Sequence, residues 1–183
     1  MAVIGIDFNG TVVTYDYPHA IGREIGATPV LRHLVKVGHE LILVTAINPA
    51  KNSANYSGVP NLYDRMLDWF KDRGIPLLGV NHNPYADPRE FPPGNCKTRA
   101  DLYIDDHMLG APLWNDPAIS DRPFLDWQAV EEMLEDYGYL PETRRSIGIF
   151  GGIHFSSPRT WSDEYRYYDW ALNPQGFSPD VLP

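Results

Sequence analysis

Asp7, Thr45, Lys97 and the pair Asp105-Asp106 stand where apolar runs give way to polar sequence, or just before such a run begins. Asp7 closes Val3-Ile4-Gly5-Ile6 and opens Phe8-Asn9-Gly10-Thr11. Thr45 closes Leu41-Ile42-Leu43-Val44, and Asp105-Asp106 closes Leu102-Tyr103-Ile104 shortly after Lys97. Carboxylates held together repel one another, and a hard cation with oxygen ligands relieves that repulsion. Mg²⁺ suits such a set because it takes one or two protein carboxylates, keeps waters and accepts phosphate oxygens. It lets an anionic carboxylate approach a phosphate dianion and neutralises charge on a transferring group. Lys97 and the Thr45 hydroxyl could hold the remaining phosphate oxygens, while Gly10 lets backbone N–H groups come close to them.

These residues work together only if the fold brings them to one place. The run at 3–6 is short and branched, as a buried strand reads. Thr28 followed by Pro29 looks like an N-cap and first helical residue. Leu31, Leu34 and Val35 supply an apolar face, and Gly38 is placed to end a helix over 29–37. The continuous apolar run 41–44 reads as a central parallel strand. Asn61 can cap a second helix with Leu62, Met66, Trp69 and Phe70 at helical spacing, closed by Arg73 and Gly74. Residues 75–80 read as a third strand, 81–99 as loop, and 102–104 as a fourth strand. After another Pro-rich loop, Trp127, Val130, Leu134 and Tyr137 mark a helix over 125–137. Strands alternating with helices predict an α/β fold, a Rossmann-like three-layer sandwich with a mostly parallel sheet. In such a sheet ligands bind outside the carboxyl ends of the strands, where the polar residues above converge.

With 183 residues the chain suits one catalytic core, expected over 1–138, with 139–183 as an extension packing on the core or at a subunit contact. Hydrophobic residues make up 43% and charged residues 21%, which excludes a wholly disordered chain. The net charge of -9 repels a polyphosphate backbone, so a duplex nucleic-acid partner is not expected. No apolar run approaches the roughly 20 residues that cross a bilayer. The early Asp7 leaves no room for an export signal, and the lone Cys96 forms no intrachain disulfide. Both point to a reducing cytoplasmic setting.

The segment from Ile4 to Val13 resembles the first signature of the haloacid dehalogenase superfamily of phosphohydrolases, apolar residues followed by D-x-D-G-T. Thr45, Lys97 and Asp105-Asp106 match its second, third and fourth signatures in order, and the resemblance covers about residues 3–137. It implies that Asp7 is the nucleophile that forms an aspartyl-phosphate, and that Thr45 and Lys97 bind phosphate beside Gly10 and Thr11. It further implies an Mg²⁺ site made by Asp7, the Asn9 backbone carbonyl and Asp106, with Asp105 nearby or in support. Taken singly, Asp7 is also an ordinary turn residue, Thr45 a common strand residue and Lys97 a solvated charge.

The departure from the family pattern is Asn9. In the family's phosphatases an Asp at that place protonates the leaving oxygen and later activates water. Asn has no labile carboxyl proton, and losing general acid–base help costs about 10²- to 10⁴-fold. Three explanations stand open. A good leaving group or another acid such as His19, His82 or His107 substitutes; the chain is a slow or silent phosphate-binding descendant; or the Asn is an engineered trapping change.

The segment 12–27, and the segment 46–96 once the second helix and third strand are subtracted, are too short for a separate cap domain, so the pocket rim is left to loops 12–27, 46–60 and 81–96. They carry Tyr15, Tyr17, His19, Tyr56, His82 and Tyr85. Aromatics around a phosphate site fit a nucleoside monophosphate, and residues 101–106 are similar to those of the superfamily's deoxyribonucleotidases. Gly148, Gly151 and Gly152 lack the strand-to-helix setting of a dinucleotide fingerprint. Asp7-x-Asn9-Gly10 lacks the Glu of a calcium loop, since Pro18 stands at its twelfth position.

Overall fold

The computed structural model describes residues 1–17, 19–47, 62–91 and 98–142. Four short strands, β1 (Val3–Ile6), β2 (Glu40–Leu43), β3 (Leu77–Val80) and β4 (Leu102–Ile104), form one sheet in the order β3-β2-β1-β4. Every pairing in it is parallel. Register places Ile6 level with Leu43 on one side and Ile104 on the other. The ladder runs one step further, with Asp7 N–H donating to the Ile104 carbonyl at 3.0 Å and Val44 N–H to the Ile6 carbonyl at 2.8 Å. The polar residues behind β1, β2 and β4 therefore leave the sheet at one level and on one edge.

Leu41, Ile42 and Leu43 are all fully buried although successive strand side chains point to opposite faces, so both faces of the sheet are covered. Among the described residues three helices supply apolar faces. In α1 (Ala27–Lys36) the buried residues Ala27, Val30, Leu31 and Leu34 recur at helical spacing. The helix α3 (Trp127–Asp136) buries Trp127, Val130 and Leu134 and packs against α1. The helix α2 (Leu62–Asp72) buries Leu62, Met66, Trp69 and Phe70. Trp69 and Phe70 meet the ring of Phe8 with centroids 5.9 and 5.8 Å apart, which fixes the backbone next to Asp7.

The start of α1 differs from the expectation. Its N-cap is Gly26, whose φ of 98° suits a residue without Cβ, and Thr28 lies inside the first turn. The Glu24 carboxylate accepts the Thr28 N–H at 3.0 Å, doing from outside the helix what the Thr28 side chain was expected to do. The Thr28 hydroxyl is left buried with no partner. The third strand begins at Leu77, with Ile75 buried ahead of it. The last helix begins behind Asp126, whose carboxylate accepts from Gln128 N–H at 3.0 Å and Ala129 N–H at 3.3 Å.

Between β4 and α3 the chain forms a small antiparallel hairpin, β5 (Leu113–Trp114) with β6 (Phe124–Leu125), where a plain loop was expected. Leu125 N–H donates to the Gly10 carbonyl at 2.8 Å, and the Trp127 indole N–H to the Thr11 carbonyl at 2.6 Å. The loop behind β1 is thereby tied to the element that leads into α3. The chain divides into units Met1–Thr143 and Arg144–Pro183, and every described residue belongs to the first. Within it, Tyr139 N–H and Leu140 N–H both donate to the Leu134 carbonyl, and Leu140 is buried. The Asn61 cap and the aromatics of the tail beyond 142 lie outside the described residues. Among the described residues no helix is long and apolar enough to cross a membrane.

Candidate functional site

Asp7 is the first residue beyond the central strand β1. Its neighbourhood follows from a compact turn in which Val12 and Val13 N–H both donate to the Phe8 carbonyl, at 2.8 and 3.2 Å. Gly10 N–H closes the turn on the Val13 carbonyl at 2.7 Å. Phe8, Val12 and Val13 are fully buried and hold the turn down. Asp7 is half-buried between them and the β4 end. Burial pushes its carboxyl up to about 7, the Phe8 N–H opposes that rise, the Asp105 and Asp106 carboxylates reinforce it, and His107 counters it weakly.

The second half of the site comes from the end of β4. Thr11, fully buried, donates its hydroxyl to Asp106 Oδ1 at 3.1 Å and accepts the Asp106 N–H at 3.0 Å. This reciprocal pair commits the Thr11 side chain to holding Asp106. Gly10 has φ +83°, and a Cβ built there would stand 2.4 Å from Asp106 Oδ2. Glycine at 10 is thus required twice, by its left-handed backbone and by the carboxylate that fills the space of a side chain. Asp105 Oδ1 accepts the His107 N–H at 2.8 Å, and His107 Nδ1 lies 3.2 Å from Asp106 Oδ1. One ligand atom each from Asp105, Asp106 and His107 fall within 4.8 Å of one another, a set that could hold a cation.

Thr45 reaches the same edge behind β2. A residue that the sequence reading did not single out, Asn81, holds it there. Asn81 accepts the Thr45 N–H at 2.8 Å and donates to the Thr45 carbonyl at 2.7 Å, so its amide satisfies both backbone groups of Thr45 as a strand would. Asn81 adopts φ 50°, a conformation Asn tolerates better than most residues. An Asn directly behind an apolar strand was the available signal. The Thr45 hydroxyl accepts the Ile47 N–H at 3.1 Å, which leaves its own proton to donate.

Among the other expected rim residues, Tyr85 does not reach this edge. Its hydroxyl donates to Glu40 Oε1 at 3.0 Å, and Glu40 begins β2 at the opposite end of the sheet. The chain behind β3 turns back down the sheet, as Asn83 donating to the Arg99 carbonyl at 2.8 Å also shows. Tyr15 lies beside the site's turn and carries the Arg122 guanidinium over its ring at 4.4 Å. Lys97 and Tyr56 lie outside the described residues.

These features define an α/β protein with a parallel sheet whose carboxyl edge gathers three aspartates, two threonines and a histidine. A solved structure of a conserved protein coded by a locus of Bacteroides thetaiotaomicron is similar to it, with TM-score 0.53 and 28% sequence identity over 74% of this chain and 91% of that chain. No protein-family model matches the chain, and no curated protein does.

Proposed function

We propose that this chain is a phosphohydrolase of the haloacid dehalogenase type, with a Rossmann-like three-layer core and no large cap. It would cleave a small phosphomonoester with Mg²⁺ through an aspartyl-phosphate on Asp7. The observation that carries the reading is the charge state of Asp7: burial and two neighbouring carboxylates hold it near pKa 7, with no lysine or arginine contributing a counter-charge among the described groups that shift it. An acidic edge of this kind is poised for a divalent cation.

Part of a donor set for that cation is grouped among the described residues, Asp105 and Asp106 with His107, and Asp7 lies near enough to both carboxylates to be raised by them. Asp105 and Asp106 offer hard oxygen ligands, Asp106 is fixed by Thr11, and Asp7 gains its full negative charge when a cation offsets its neighbours. Asp7, Asp106 and the Asn9 backbone carbonyl would hold it, with Asp105 in support. Mg²⁺ supplies charge neutralisation on the phosphoryl group. The chain's own residues do the rest. An Asp7 carboxylate oxygen attacks phosphorus, an Asp7 O–P bond forms, and the ester P–O bond breaks with the electron pair leaving on the alcohol oxygen, which takes its proton from solvent water. Water then attacks phosphorus, the Asp7 O–P bond breaks to return the carboxylate, and the proton the water loses passes to the released phosphate or to solvent. The Thr45 hydroxyl donates toward a phosphate oxygen, and Lys97 would neutralise another.

Asn9 supplies no proton to the leaving alcohol, and this supports a second reading: a protein that binds phosphate and turns over slowly or not at all. Phosphate release from a panel of phosphomonoesters with Mg²⁺ separates the two. Release that disappears in Asp7→Asn supports hydrolysis. Silence in this chain together with release in Asn9→Asp supports the binding reading, and silence in both sinks the phosphohydrolase assignment.

A further inference from the structure

Arg122 forms no ion pair among the described residues, although the chain carries an excess of carboxylates. It is solvent-exposed, and its guanidinium lies 4.4 Å from the centroid of the half-buried Tyr15 ring. An unneutralised cation ordered on an aromatic face keeps its N–H donors available to an incoming anion.

Both members of the pair are close in the chain to groups bonded to, or directly following, the turn beside Asp7. Arg122 precedes β6 by two residues, and β6 is bonded to the turn through Leu125 N–H and the Gly10 carbonyl at 2.8 Å. Three residues of extended chain reach at most about 10 Å, so the Arg122 backbone stays within that distance of the Leu125 anchor. Tyr15 directly follows Thr14, whose N–H donates to the Arg23 carbonyl at 2.7 Å and whose hydroxyl accepts the Arg23 N–H at 2.8 Å. Gly22 makes this pairing close, since a Cβ there would stand 1.9 Å from the Thr14 carbonyl oxygen. A second turn, the Ser120 hydroxyl accepting the Arg122 N–H at 3.2 Å, holds the backbone on the other side.

We infer that Arg122, oriented by Tyr15, binds an anionic group at the far end of the substrate from the phosphate that Asp7 attacks. The substrate class is then a phosphomonoester with a second anionic group, a carboxylate or another phosphate. Arg122 is the specificity residue and Tyr15 its positioning residue. This rests on the phosphate-binding reading of the Asp7 site and extends it to substrate choice.

Matched ligand pairs test it: phosphoglycolate against ethyl phosphate, 3-phosphoglycerate against glycerol 3-phosphate, and fructose 1,6-bisphosphate against fructose 6-phosphate. Dissociation constants are measured calorimetrically with Mg²⁺ on the full chain, beside inorganic phosphate. At least one ligand with two anionic groups should bind about tenfold more tightly than its partner, as a charge-assisted contact at a solvent-exposed site allows. Arg122→Ala should remove that preference and leave inorganic phosphate binding unchanged, Arg122→Lys should keep part of it, and Tyr15→Leu should reduce it. Equal binding within every pair, or a loss in Arg122→Ala shared by inorganic phosphate, overturns the inference while leaving the phosphate site intact. Failure of every phosphate to bind, inorganic phosphate included, overturns the site reading and this inference together.

Discussion

The two ends of the sheet's carboxyl edge solve opposite electrostatic problems. Behind β2 and β3, Asn81 satisfies both backbone groups of Thr45, and the Thr45 hydroxyl closes its own turn on Ile47. Among the described residues those contacts involve no charged group, and they satisfy the Thr45 backbone without a ligand. Behind β1 and β4, three carboxylates are brought together, and the groups that hold them are a neutral hydroxyl and the exposed His107. Among the described residues that end is mechanically fixed with no lysine or arginine offsetting its carboxylates, and burial with those carboxylates pushes Asp7 up. A rigid edge that keeps like charges together against their repulsion is suited to a cation and to an anion that arrives with it.

The comparison makes its largest prediction at Asp7. A carboxyl raised from 3.8 to about 7 binds more protons folded than unfolded between those values, so without a divalent cation it subtracts stability as pH rises through that window. Asp7→Asn should therefore stabilise the metal-free protein by up to about 4 kcal/mol above pH 7 and by nothing below pH ~4. Thermal or urea unfolding across pH reads this directly. A pH-independent difference would show that Asp7 is not held in the way described.

Breaking the satisfied end should behave differently. Asn81→Ala leaves the Thr45 N–H and carbonyl without their partner and places a Cβ-bearing residue at φ 50° without the amide, costing about 2–3 kcal/mol. The cost should be the same with and without Mg²⁺, because no charge changes. Gly10→Ala strains a left-handed position by about 1–2 kcal/mol and drives a methyl group against Asp106. Its larger consequence should be a weakened Mg²⁺-induced rise in melting temperature. Thr11→Val, similar in shape, should cost about 1–2 kcal/mol by leaving the Asp106 N–H unpaired. It too should blunt the response to Mg²⁺, which separates both variants from Asn81→Ala.

The acidic end was legible in the sequence because buried parallel strands are continuous apolar runs, and the residue that stops each run marks the sheet edge. Asp7, Thr45 and Asp105-Asp106 were read that way, and the register puts Asp7 level with Val44 and Asp105, with Thr45 and Asp106 one residue beyond on the same edge. The satisfied end was less legible. Asn81 acts through its amide on a residue 36 positions earlier, and no local pattern encodes that pairing. Glu24 capping α1 was hidden for a related reason: Thr28-Pro29 is a strong local signal, and a carboxylate outside the helix overrides it. The β5–β6 hairpin was missed because two-residue strands are too short to show alternation, and Leu113 and Trp114 stay substantially exposed. The role of Thr11 required knowing that Asp106 comes within hydrogen-bond distance across 95 positions.

Beryllium fluoride binding tests the central claim most directly, since it combines with an aspartate carboxylate and a divalent cation as a phosphoryl group would. Fluorine NMR of this chain with beryllium fluoride at pH 7.5 should show a bound resonance with Mg²⁺, lost on chelation and absent from Asp7→Asn. It should persist in Asn9→Asp. A bound resonance that survives in Asp7→Asn, or forms equally without Mg²⁺, would contradict the account of Asp7 as a cation-dependent phosphoryl acceptor.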